Sequence, residues 1–437
     1  MKIISYKDIE EAGFFQKIDL EKLNSLDEII ENVKNNGDSA LIEYSKRFND
    51  GDFSNADDFL VSQEEIIEAY KKIEPELLKA LKTAIKNVKD FSIEQFNSIK
   101  ELEITKNNST LGHKIIPMER VLCYCPGGNY PLLSSCYMTV IPAVIAGVKE
   151  IYVTSPKIRP EVIVSAHLSG ATKIYKLGGA QAISAFAYGT QTIKKVDKIV
   201  GPGNKFVAGA KKAIYGQCDI DFIAGPSEVL IVADDASDAK IIAADMLAQC
   251  EHDKDARAYL IATNKDLAYE VNKEAQEFLK TLETSHIASI AFEKSICVII
   301  DDINQAIDLS NKKAPEHLEL LIENVDNFKD KFANYGSLFI GKYCAEVFGD
   351  YCSGTNHVLP TNETAKYTGG LSVFDFIKIQ TYQKISKEYC YELSKTASIL
   401  AKAEGLYAHK LASDLRRENW NHYQYNSEDL EKNTHLN

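Results

Sequence analysis

Short apolar runs that lead into glycine turns alternate with helical patterns through the middle of the chain. The runs occupy residues 121–125, 151–154, 174–177 and 199–200. Strands that alternate with helices at this spacing are typical of parallel βαβ units. Ligands of parallel sheets bind at the carboxyl ends of the strands, where the glycines of this chain fall. These turns are Gly127-Gly128, Gly178-Gly179 and Gly201-Pro-Gly203.

A second set of runs predicts a second sheet. These runs lie at residues 229–233, 258–262, 297–300 and 338–340. A chain of 437 residues with 45% hydrophobic content is long enough to bury more than one core. We therefore expect an α/β protein with two parallel sheets, divided near residues 122 and 228.

The two ends of the chain are expected to be helical. Ser25 and Ser62 each match a capping box, and Pro75 opens a long helical pattern that runs toward Phe96. After about residue 372 the pattern becomes helical and polar.

Composition narrows the class of protein. The 50 basic and 63 acidic residues give a net charge of −13, which argues against nucleic acid or an anionic membrane surface as the main partner. The N-terminus has no apolar signal segment, so we expect a cytoplasmic protein. Nine cysteines without a Cys-x-x-Cys pair fit reduced, mostly buried thiols.

A Gly- and Ser-rich loop from Phe348 to Pro360 carries Asp350 and His357. Neither side chain follows a hydrophobic period, and both are of the types that bind metals or move protons. The loop therefore predicts a site of either kind. An ordinary polar turn is the alternative interpretation.

Gln249 and His252 lie at the end of an apolar helical pattern. Their spacing of three places both side chains on one helical face, where an amide oxygen and an imidazole nitrogen can converge on one ion. A solvated or capping pair is the local alternative.

Glu316 and His317 stand between Pro315 and a short strand pattern. A turn after proline can present both side chains to one cleft, where they would form a general acid/base pair. The alternative is a pair at a strand edge, with the side chains on opposite faces. Glu404 and His409 are five residues apart, which fits one helical face poorly.

The glycine turns do not form a complete dinucleotide fingerprint. Gly201-Pro-Gly203 has the first two glycines of Gly-x-Gly-x-x-Gly and lacks the third. The turns nevertheless suit the close approach of a phosphate-bearing ligand to the backbone.

Seven motifs in a fixed order resemble the histidinol dehydrogenase family, from about residue 25 to about residue 410. They are Tyr124-Cys-Pro-Gly-Gly128, Leu177-Gly-Gly-Ala-Gln181, Gly201-Pro-Gly-Asn204, Asp221-Phe-Ile-Ala-Gly-Pro-Ser227-Glu228, Gln249-Cys-Glu-His252, Pro315-Glu-His317 and Gly349-Asp-Tyr-Cys-Ser-Gly-Thr-Asn-His357. The resemblance implies the final steps of histidine biosynthesis: oxidation of L-histidinol through L-histidinal to L-histidine with two NAD⁺ and one zinc ion per subunit.

The resemblance also implies roles for individual residues. The implied zinc ligands are Gln249, His252, Asp350 and His409, with His409 supplied by the partner subunit. Glu316 and His317 match the acid/base pair. The substrate-contacting positions comprise the zinc ligands together with Ser227, His317, His357 and Glu404. Tyr124, Gln181 and Asn204 match the positions that hold NAD.

The family's architecture is two incomplete Rossmann-like domains in a homodimer that exchanges small terminal segments. By resemblance, a helical segment covers residues 1–24, and a first domain with the metal and acid/base residues covers 25–121 and 228–371. A second domain on the NAD side covers residues 122–227. A C-terminal helical segment, residues 372–437, is exchanged with the partner.

Two other classes of function compete with this interpretation. A zinc hydrolase, with Glu316 activating water, explains the metal ligands and leaves the glycine turns and two sheets without a role. A non-catalytic scaffold would not need the acid/base pair of Glu316 and His317. Nicotinamide absorbance during turnover separates the first alternative from a dehydrogenase.

Overall fold

A computed structural model describes residues 1–16, 25–127 and 131–417 of the chain. The chain divides into two compact units. The first unit comprises Met1–Ser98 and Pro117–Phe376, and the second comprises Ile99–Ile116 and Ile377–Asn437.

The first unit contains two parallel sheets. The six-stranded sheet has the order β1-β11-β10-β9-β12-β13 and the five-stranded sheet has the order β6-β5-β4-β7-β8. The strands of the six-stranded sheet are β1 Lys2–Ser5, β9 Glu228–Ala233, β10 Arg257–Ala262, β11 Ile296–Ile299, β12 His317–Leu321 and β13 Ser337–Ile340. Those of the five-stranded sheet are β4 Arg120–Tyr124, β5 Glu150–Thr154, β6 Lys173–Tyr175, β7 Lys198–Val200 and β8 Asp219–Ile220. The expected α/β class with two parallel sheets is confirmed.

Helices connect these strands and cover the sheets. Those before the five-stranded sheet are α1 Ser25–Asn36, α2 Asp38–Arg47, α3 Gln63–Lys72 and α4 Pro75–Asn97. Those that follow are α5 Ser134–Ala146, α6 Pro160–Ser169, α7 Gly179–Tyr188, α8 Lys205–Ile214, α9 Ala239–Cys250, α10 Lys265–Leu279, α11 Ser285–Glu293, α12 Ile303–Lys313 and α13 Glu346–Tyr351.

Two helix starts follow from local chemistry. The Ser62 hydroxyl accepts from the Glu65 N–H and the Glu65 carboxylate accepts from the Ser62 N–H, so the capping box predicted before α3 is confirmed. Pro75 occupies the first turn of α4, where its missing N–H leaves no helical hydrogen bond unmade. The side chain of Ser25, the other predicted cap, lies outside the described residues.

Burial explains the unbroken apolar runs of the central strands. All six residues of β9 are buried, and β10 and β12 pair with it on either side. A parallel strand that is covered on both faces has a continuously apolar sequence, because neither face is exposed to solvent.

Helices α1 and α2 share a core with the five-stranded sheet. Leu26, Val33 and Tyr44 pack in one cluster with Tyr152 and Phe186. Residues 25–121 are predicted to belong with residues 228–371, whereas α1 and α2 pack in the core of the five-stranded sheet. An amphipathic stripe shows which face of a helix is buried, but not which sheet buries it.

The N-terminal residues also differ from expectation. Lys2–Ser5 forms strand β1, which pairs in parallel with β11 at the edge of the six-stranded sheet. The sequence predicts a helical segment over residues 1–24, of which residues 17–24 lie outside the described part. Four residues are too few for a strand period to stand out from a helical one.

The second unit contains a three-stranded sheet, a long helix and a further helical stretch at residues 407–417. Its elements are β2 Leu102–Lys106, β3 Ser109–Pro117, β14 Ile377–Lys384 and α14 Lys387–Ala403. β3 lies between β14 and β2, and a turn with positive φ at both Asn107 and Asn108 joins β2 to β3. The prediction of helical structure after residue 372 is wrong for β14, whose apolar alternation is limited to Ile377 and Ile379.

The cysteines fit the expected reduced state. All nine are free thiols, and six of them are buried. None of the helices in the described part of the chain combines length with enough apolar residues to cross a lipid bilayer.

Candidate active site

The first unit encloses a cavity of about 770 Å³ that reaches both of its sheets. Pro126 and residues 202–205 line it from the turns after β4 and β7, at the carboxyl end of the five-stranded sheet. Ser227 and His317 line it from the starts of β9 and β12, at the amino end of the six-stranded sheet. The expectation that ligands bind at the carboxyl ends of parallel strands therefore holds for one wall of the cavity. The opposite wall is formed at the amino ends of strands β9 and β12.

Glu316 and His317 enter the cavity where the chain passes from α12 into β12. Ala314 has φ +51° and ends the helix, and Pro315 then directs the chain into the strand. Both side chains line the cavity although both residues are nearly buried, at 7% and 4% exposure. The turn thus presents acid and base to one cleft.

The backbone of Glu228 holds this pair. Its N–H donates to Glu316 Oε2 at 2.8 Å, and its carbonyl oxygen lies 3.2 Å from His317 Nδ1. A proton on Nδ1 would be donated to that carbonyl, which leaves the lone pair on Nε2. Nε2 has no hydrogen-bond partner among the described residues. It is therefore available to a ligand in the cavity.

Helix α13 presents two carboxylates to His317, so the prediction that Asp350 lies on a loop is wrong. Glu346 and Asp350 are four residues apart and so project from one side of the helix. Glu346 Oε1 lies 3.6 Å from His317 Nδ1, and Asp350 Oδ1 lies 3.4 Å from His317 Nε2. One ligand atom from each of the three residues lies within 4.8 Å of the other two, so the group could hold a metal ion.

Gln249 reaches the same cluster from the end of α9. Its amide nitrogen is assigned toward Glu346, because the opposite orientation would place the amide oxygen against the Glu346 carboxylate, with no hydrogen to share. The nitrogen then donates to Glu346 Oε1 at 2.6 Å and the oxygen accepts from the Glu228 N–H at 2.7 Å. The Glu346 carboxylate thereby determines which end of the amide faces away from it.

His252 lies beyond α9. The helix ends at Cys250, so the prediction that Gln249 and His252 share one helical face is wrong. The chain turns there, and His252 Nε2 approaches Asp350 Oδ2 to 4.0 Å. Both Gln249 and His252 still line the cavity.

Burial shifts the pKa values of the cluster. It raises the pKa of Glu316 to about 8 and raises the pKa of Glu346 well above its usual range. Burial alone would lower the pKa of His317, but the carboxylates of Glu346, Glu316 and Asp350 outweigh it and raise that pKa. Burial lowers the pKa of His252, which favours the neutral imidazole that binds metals.

Ser227 and His357 face the cavity from other elements. His357 Nε2 lies 3.1 Å from Ser134 Oγ, and burial lowers the pKa of this imidazole. Both residues line the cavity with Asp350.

The three residues predicted to hold NAD are divided between two places. Asn204 lines the cavity and caps α8, where its side chain accepts from the N–H groups of Phe206 and Val207. Tyr124 and Gln181 are instead buried below the turns, at 3% and 2% exposure. Tyr124 Oη accepts from the Gly179 N–H at 3.1 Å. Gly128, predicted as part of the first glycine turn, lies outside the described residues.

Glu404 and His409 belong to the second unit. Glu404 follows the last residue of α14, and residues 407–417 form a further helical stretch that contains His409. Both residues are exposed in the single chain. A turn separates them, so they do not lie on one continuous helix.

Comparison with known proteins decides the family. The family model described as histidinol dehydrogenase matches residues 16–417. The chain belongs to this family. The histidinol dehydrogenase of Methanococcus maripaludis is 45% identical over 401 residues, covering 90% of this chain and 93% of the relative. That of Clostridium acetobutylicum is 40% identical over 430 residues, covering 95% and 99%.

The fold of a histidinol dehydrogenase agrees as well. The crystal structure of the enzyme from Elizabethkingia anophelis superposes with a TM-score of 0.90 at 37% identity, covering 96% of this chain and 99% of that one. As a histidinol dehydrogenase family member, the chain is an oxidoreductase of histidine biosynthesis.

Two acidic residues of the site, Glu346 and Glu319, are not among those predicted from the sequence. Glu346 carries a detectable signal, since it precedes Asp350 by one helical turn. Glu319 is fully buried on the same face of β12 as His317, and its Oε1 accepts from the Glu346 N–H at 2.8 Å. An acidic residue inside an apolar strand run is the signal that could have identified it.

The cluster suits a bound cation. Glu316, Glu346 and Asp350 are nearly or partly buried around one imidazole, and Glu346 Oε2 has no hydrogen-bond partner among the described residues. Buried carboxylates this close cannot all ionise without a compensating positive charge. Oxygen and nitrogen donors without thiolate are a set that zinc accepts.

Proposed function

We propose that this chain oxidises L-histidinol through L-histidinal to L-histidine, using two NAD⁺ and a zinc ion. The observation that supports it best is that the side chains of Glu316 and His317 both contact the backbone of Glu228. Glu316 accepts from its N–H, and His317 Nδ1 lies beside its carbonyl oxygen. Such a pair supplies a base for an alcohol proton and a second base for water, which an alcohol-to-acid oxidation requires.

His317 is proposed as the base of the first oxidation. With Nδ1 directed at the Glu228 carbonyl, Nε2 can take the hydroxyl proton of the substrate as the hydride departs. Bound NAD⁺ would accept the hydride in each of the two oxidations. The resulting imidazolium is stabilised by the nearby carboxylates of Glu346 and Asp350.

Glu316 is proposed as the base of the second oxidation. Its carboxyl has one oxygen on the Glu228 N–H and faces the cavity, so the other oxygen can accept a proton from water. That water adds to the aldehyde and gives the hydrate, which loses the second hydride. A pKa near 8 makes the carboxylate a stronger base than an exposed glutamate.

The proposed zinc ligands are Gln249, His252 and Asp350 of one chain and the partner subunit's His409. Their proximity in the cavity supports the first three, and the neutral state favoured for His252 supports its role. Zinc would supply a template and Lewis acid that fixes the substrate against the bases. Ser227, His357 and Glu404 complete the proposed contacts to substrate.

NAD⁺ is proposed to bind at the carboxyl end of the five-stranded sheet. Asn204 stands at the start of α8 on the cavity wall, where a helix N-terminus favours phosphate. Tyr124 and Gln181 are proposed contacts as well, and their burial requires that NAD⁺ reach them through a local movement of the Gly178-Gly179 turn, to which Tyr124 is hydrogen-bonded.

A homodimer with shared sites is proposed from the second unit. Apolar side chains on α14 and the following helical stretch are exposed in the single chain, and they include Ile399, Leu400, Tyr407 and Leu411. Exposed apolar patches of this kind mark contact surfaces. We also propose the cytoplasm as the compartment, since all nine thiols are free.

One assay tests the proposal. NADH formed per histidinol consumed should equal two, and a chelator should abolish both oxidations until zinc is returned. Consumption of substrate without any nicotinamide absorbance would instead favour a zinc hydrolase. One NADH per histidinol, with histidinal accumulating, would contradict the second oxidation.

A further inference from the structure

A buried ion pair lies beneath the turn that follows β7. Lys211 of α8 and Asp221, which follows β8, are 2% and 1% exposed at their side chains. Lys211 Nζ contacts Asp221 Oδ1 and also donates to the Gly201 carbonyl at 3.0 Å. Asp221 Oδ2 accepts from the Gly201 N–H at 2.8 Å. Both backbone polar groups of Gly201 are therefore bonded to the pair.

Gly201 can occupy this place only as glycine. Its φ is +113°, and an added Cβ would lie 2.2 Å from the Tyr124 carbonyl oxygen. The turn thus packs directly on the end of β4, with no side chain between them. Its position depends on the two charged side chains that hold it.

The same pair reaches a second segment of the cavity wall. Asp221 Oδ1 accepts from the Phe222 N–H at 2.7 Å, and Phe222 lines the cavity together with Pro202 and Asn204. One buried carboxylate therefore connects the turn after β7 to the segment that leads to Ser227.

Stability alone does not explain this arrangement. Removing two charges from water is unfavourable, and a buried ion pair is often no more stabilising than apolar residues of equal volume. Its advantage is fixed geometry, since both carboxylate oxygens of Asp221 and the ammonium group of Lys211 have defined partners. Besides each other, their partners are the N–H and carbonyl of Gly201 and the N–H of Phe222.

We propose that Lys211 and Asp221 are positioning residues that hold the turn from Gly201 to Asn204 in the conformation that binds the dinucleotide. The inference rests on the proposed function, in which Asn204 contacts NAD⁺. Neither side chain lines the cavity, so both act through Gly201 and Phe222.

The test uses Lys211→Met, which keeps the aliphatic stem, and Asp221→Asn, which keeps the shape of the carboxylate. We expect each to raise the KM for NAD⁺ about tenfold, since each removes a charged hydrogen bond to Gly201. The KM for histidinol should be unchanged, and kcat should stay within about a factor of two. Calorimetric titration of the zinc-loaded enzyme with NAD⁺ should show the same loss of affinity.

Lys198→Met is the matched control. Lys198 is also a buried lysine, paired with Asp219 at 3.1 Å, but it lies at the opposite end of β7 and does not line the cavity. It should lower the midpoint of urea unfolding without changing the KM for NAD⁺. A purely structural role for Lys211 would give the same result as this control.

The outcomes are distinguishable. If Lys211→Met and Asp221→Asn lose stability while binding NAD⁺ as tightly as the parent, the positioning role is wrong. Should Lys211→Met fail to fold because Asp221 is left unpaired, the neutral double variant Lys211→Met/Asp221→Asn decides, and an unchanged KM for NAD⁺ there overturns the proposal. A parent enzyme that produces no NADH contradicts the proposed function instead.

Discussion

His317 Nε2 lies 3.4 Å from Asp350 Oδ1, close enough for an ion pair, yet Nε2 has no hydrogen-bond partner among the described residues. The proposed base and a proposed metal ligand therefore face each other directly. Each affects the charge of the other. Burial opposes both shifts, yet the carboxylate helps to raise the pKa of the imidazole and the imidazole helps to lower the pKa of the carboxylate. Substitutions here must be judged by metal content as well as rate.

Replacing His317 by alanine should slow histidinol oxidation while zinc stays bound. A positioned base contributes about 10²–10⁴-fold to the rate, and the loss should fall in this range. Stopped-flow measurement of NADH gives the rate, and elemental analysis gives the zinc content.

His286→Ala, at an exposed histidine of α11, is the control for the His317 variant. It should leave both the rate and the zinc content unchanged. Loss of stoichiometric zinc from His317→Ala alone would move His317 into the ligand set, as its proximity to Glu346 and Asp350 allows.

Glu316→Gln should retain the first oxidation and lose most of the second. An amide can still accept from the Glu228 N–H, so the turn stays in place, but it cannot take a proton from water. Histidinol and histidinal are supplied separately, and NADH is followed for each. The assignment of Glu316 fails if the variant oxidises histidinal at the parental rate.

Glu346→Gln should weaken zinc binding about 10- to 100-fold, the usual effect of removing a residue that orients a metal ligand. The reason is that the Glu346 carboxylate accepts a hydrogen bond from the Gln249 amide nitrogen. This bond keeps the Gln249 amide oxygen directed away from Glu346. Competition with a chromophoric chelator measures the affinity. Glu323→Gln, at an exposed residue beyond the other end of β12, is the control.

The same measurement on His252→Ala separates two ligand sets that share Asp350. If zinc is held by Gln249, His252 and Asp350, its affinity should fall more in His252→Ala than in Glu346→Gln. The reverse order would show that Glu346 binds the metal directly, with His317 and Asp350.

The sequence predicts the strands well because buried parallel strands leave a strong signal. The apolar runs at residues 229–233 and 258–262 agree with β9 and β10 to within one residue. Strand β14 is missed because its apolar alternation is limited to Ile377 and Ile379, too short a period to stand out in a largely exposed polar segment. Strand β1 is too short to distinguish, and it is recognised only by its pairing with β11.

Part of the site is predicted because some of its residues have a distinctive type and spacing in the sequence. Residue type and spacing single out Asp350, His357 and the Glu316-His317 pair, all of which line one cavity. The contribution of Glu228 lies in its backbone N–H and carbonyl, which every residue possesses, so no sequence pattern could reveal it. The spacing of Glu346 to Asp350 is visible in the sequence, but the hydrogen bond of Glu346 with Gln249 joins α13 to α9 and is a tertiary contact that the sequence does not show.

Asp50 should make stability depend on pH. Burial raises the pKa of this carboxyl from 3.8 to about 6. Between these values the folded state binds a proton that the unfolded state has lost, so stability falls as pH rises through this window. The fall should amount to at most about 3 kcal/mol.

Urea unfolding from pH 4.5 to 7 measures the effect by comparison with Asp50→Asn, which cannot titrate. The difference in unfolding free energy between parent and variant should change across the window and level off above it. Asp52→Asn, at an exposed neighbour, should follow the parent at every pH. Parallel curves for the parent and Asp50→Asn would contradict the prediction.

The last prediction concerns the proposed exchange between subunits. His409 is exposed in the second unit, whereas His252 and the other two proposed ligands of the same chain line the cavity of the first. If His409 completes the zinc site of the partner, His409→Ala and His252→Ala should each be inactive as homodimers. In a heterodimer of the two, one site carries both substitutions and the other carries none, because a two-fold dimer exchanges the same element reciprocally.

Co-expression of the two variants with different affinity tags, followed by tandem purification, yields verified heterodimers. We expect them to regain up to about half of the parental activity and to bind one zinc per dimer, since one of two reciprocal sites is complete. His286→Ala paired with His252→Ala is the control, with one intact and one damaged site expected under either arrangement. If the His409→Ala/His252→Ala heterodimers stay inactive while this control regains activity, the fourth ligand comes from the same chain and the shared-site proposal is wrong.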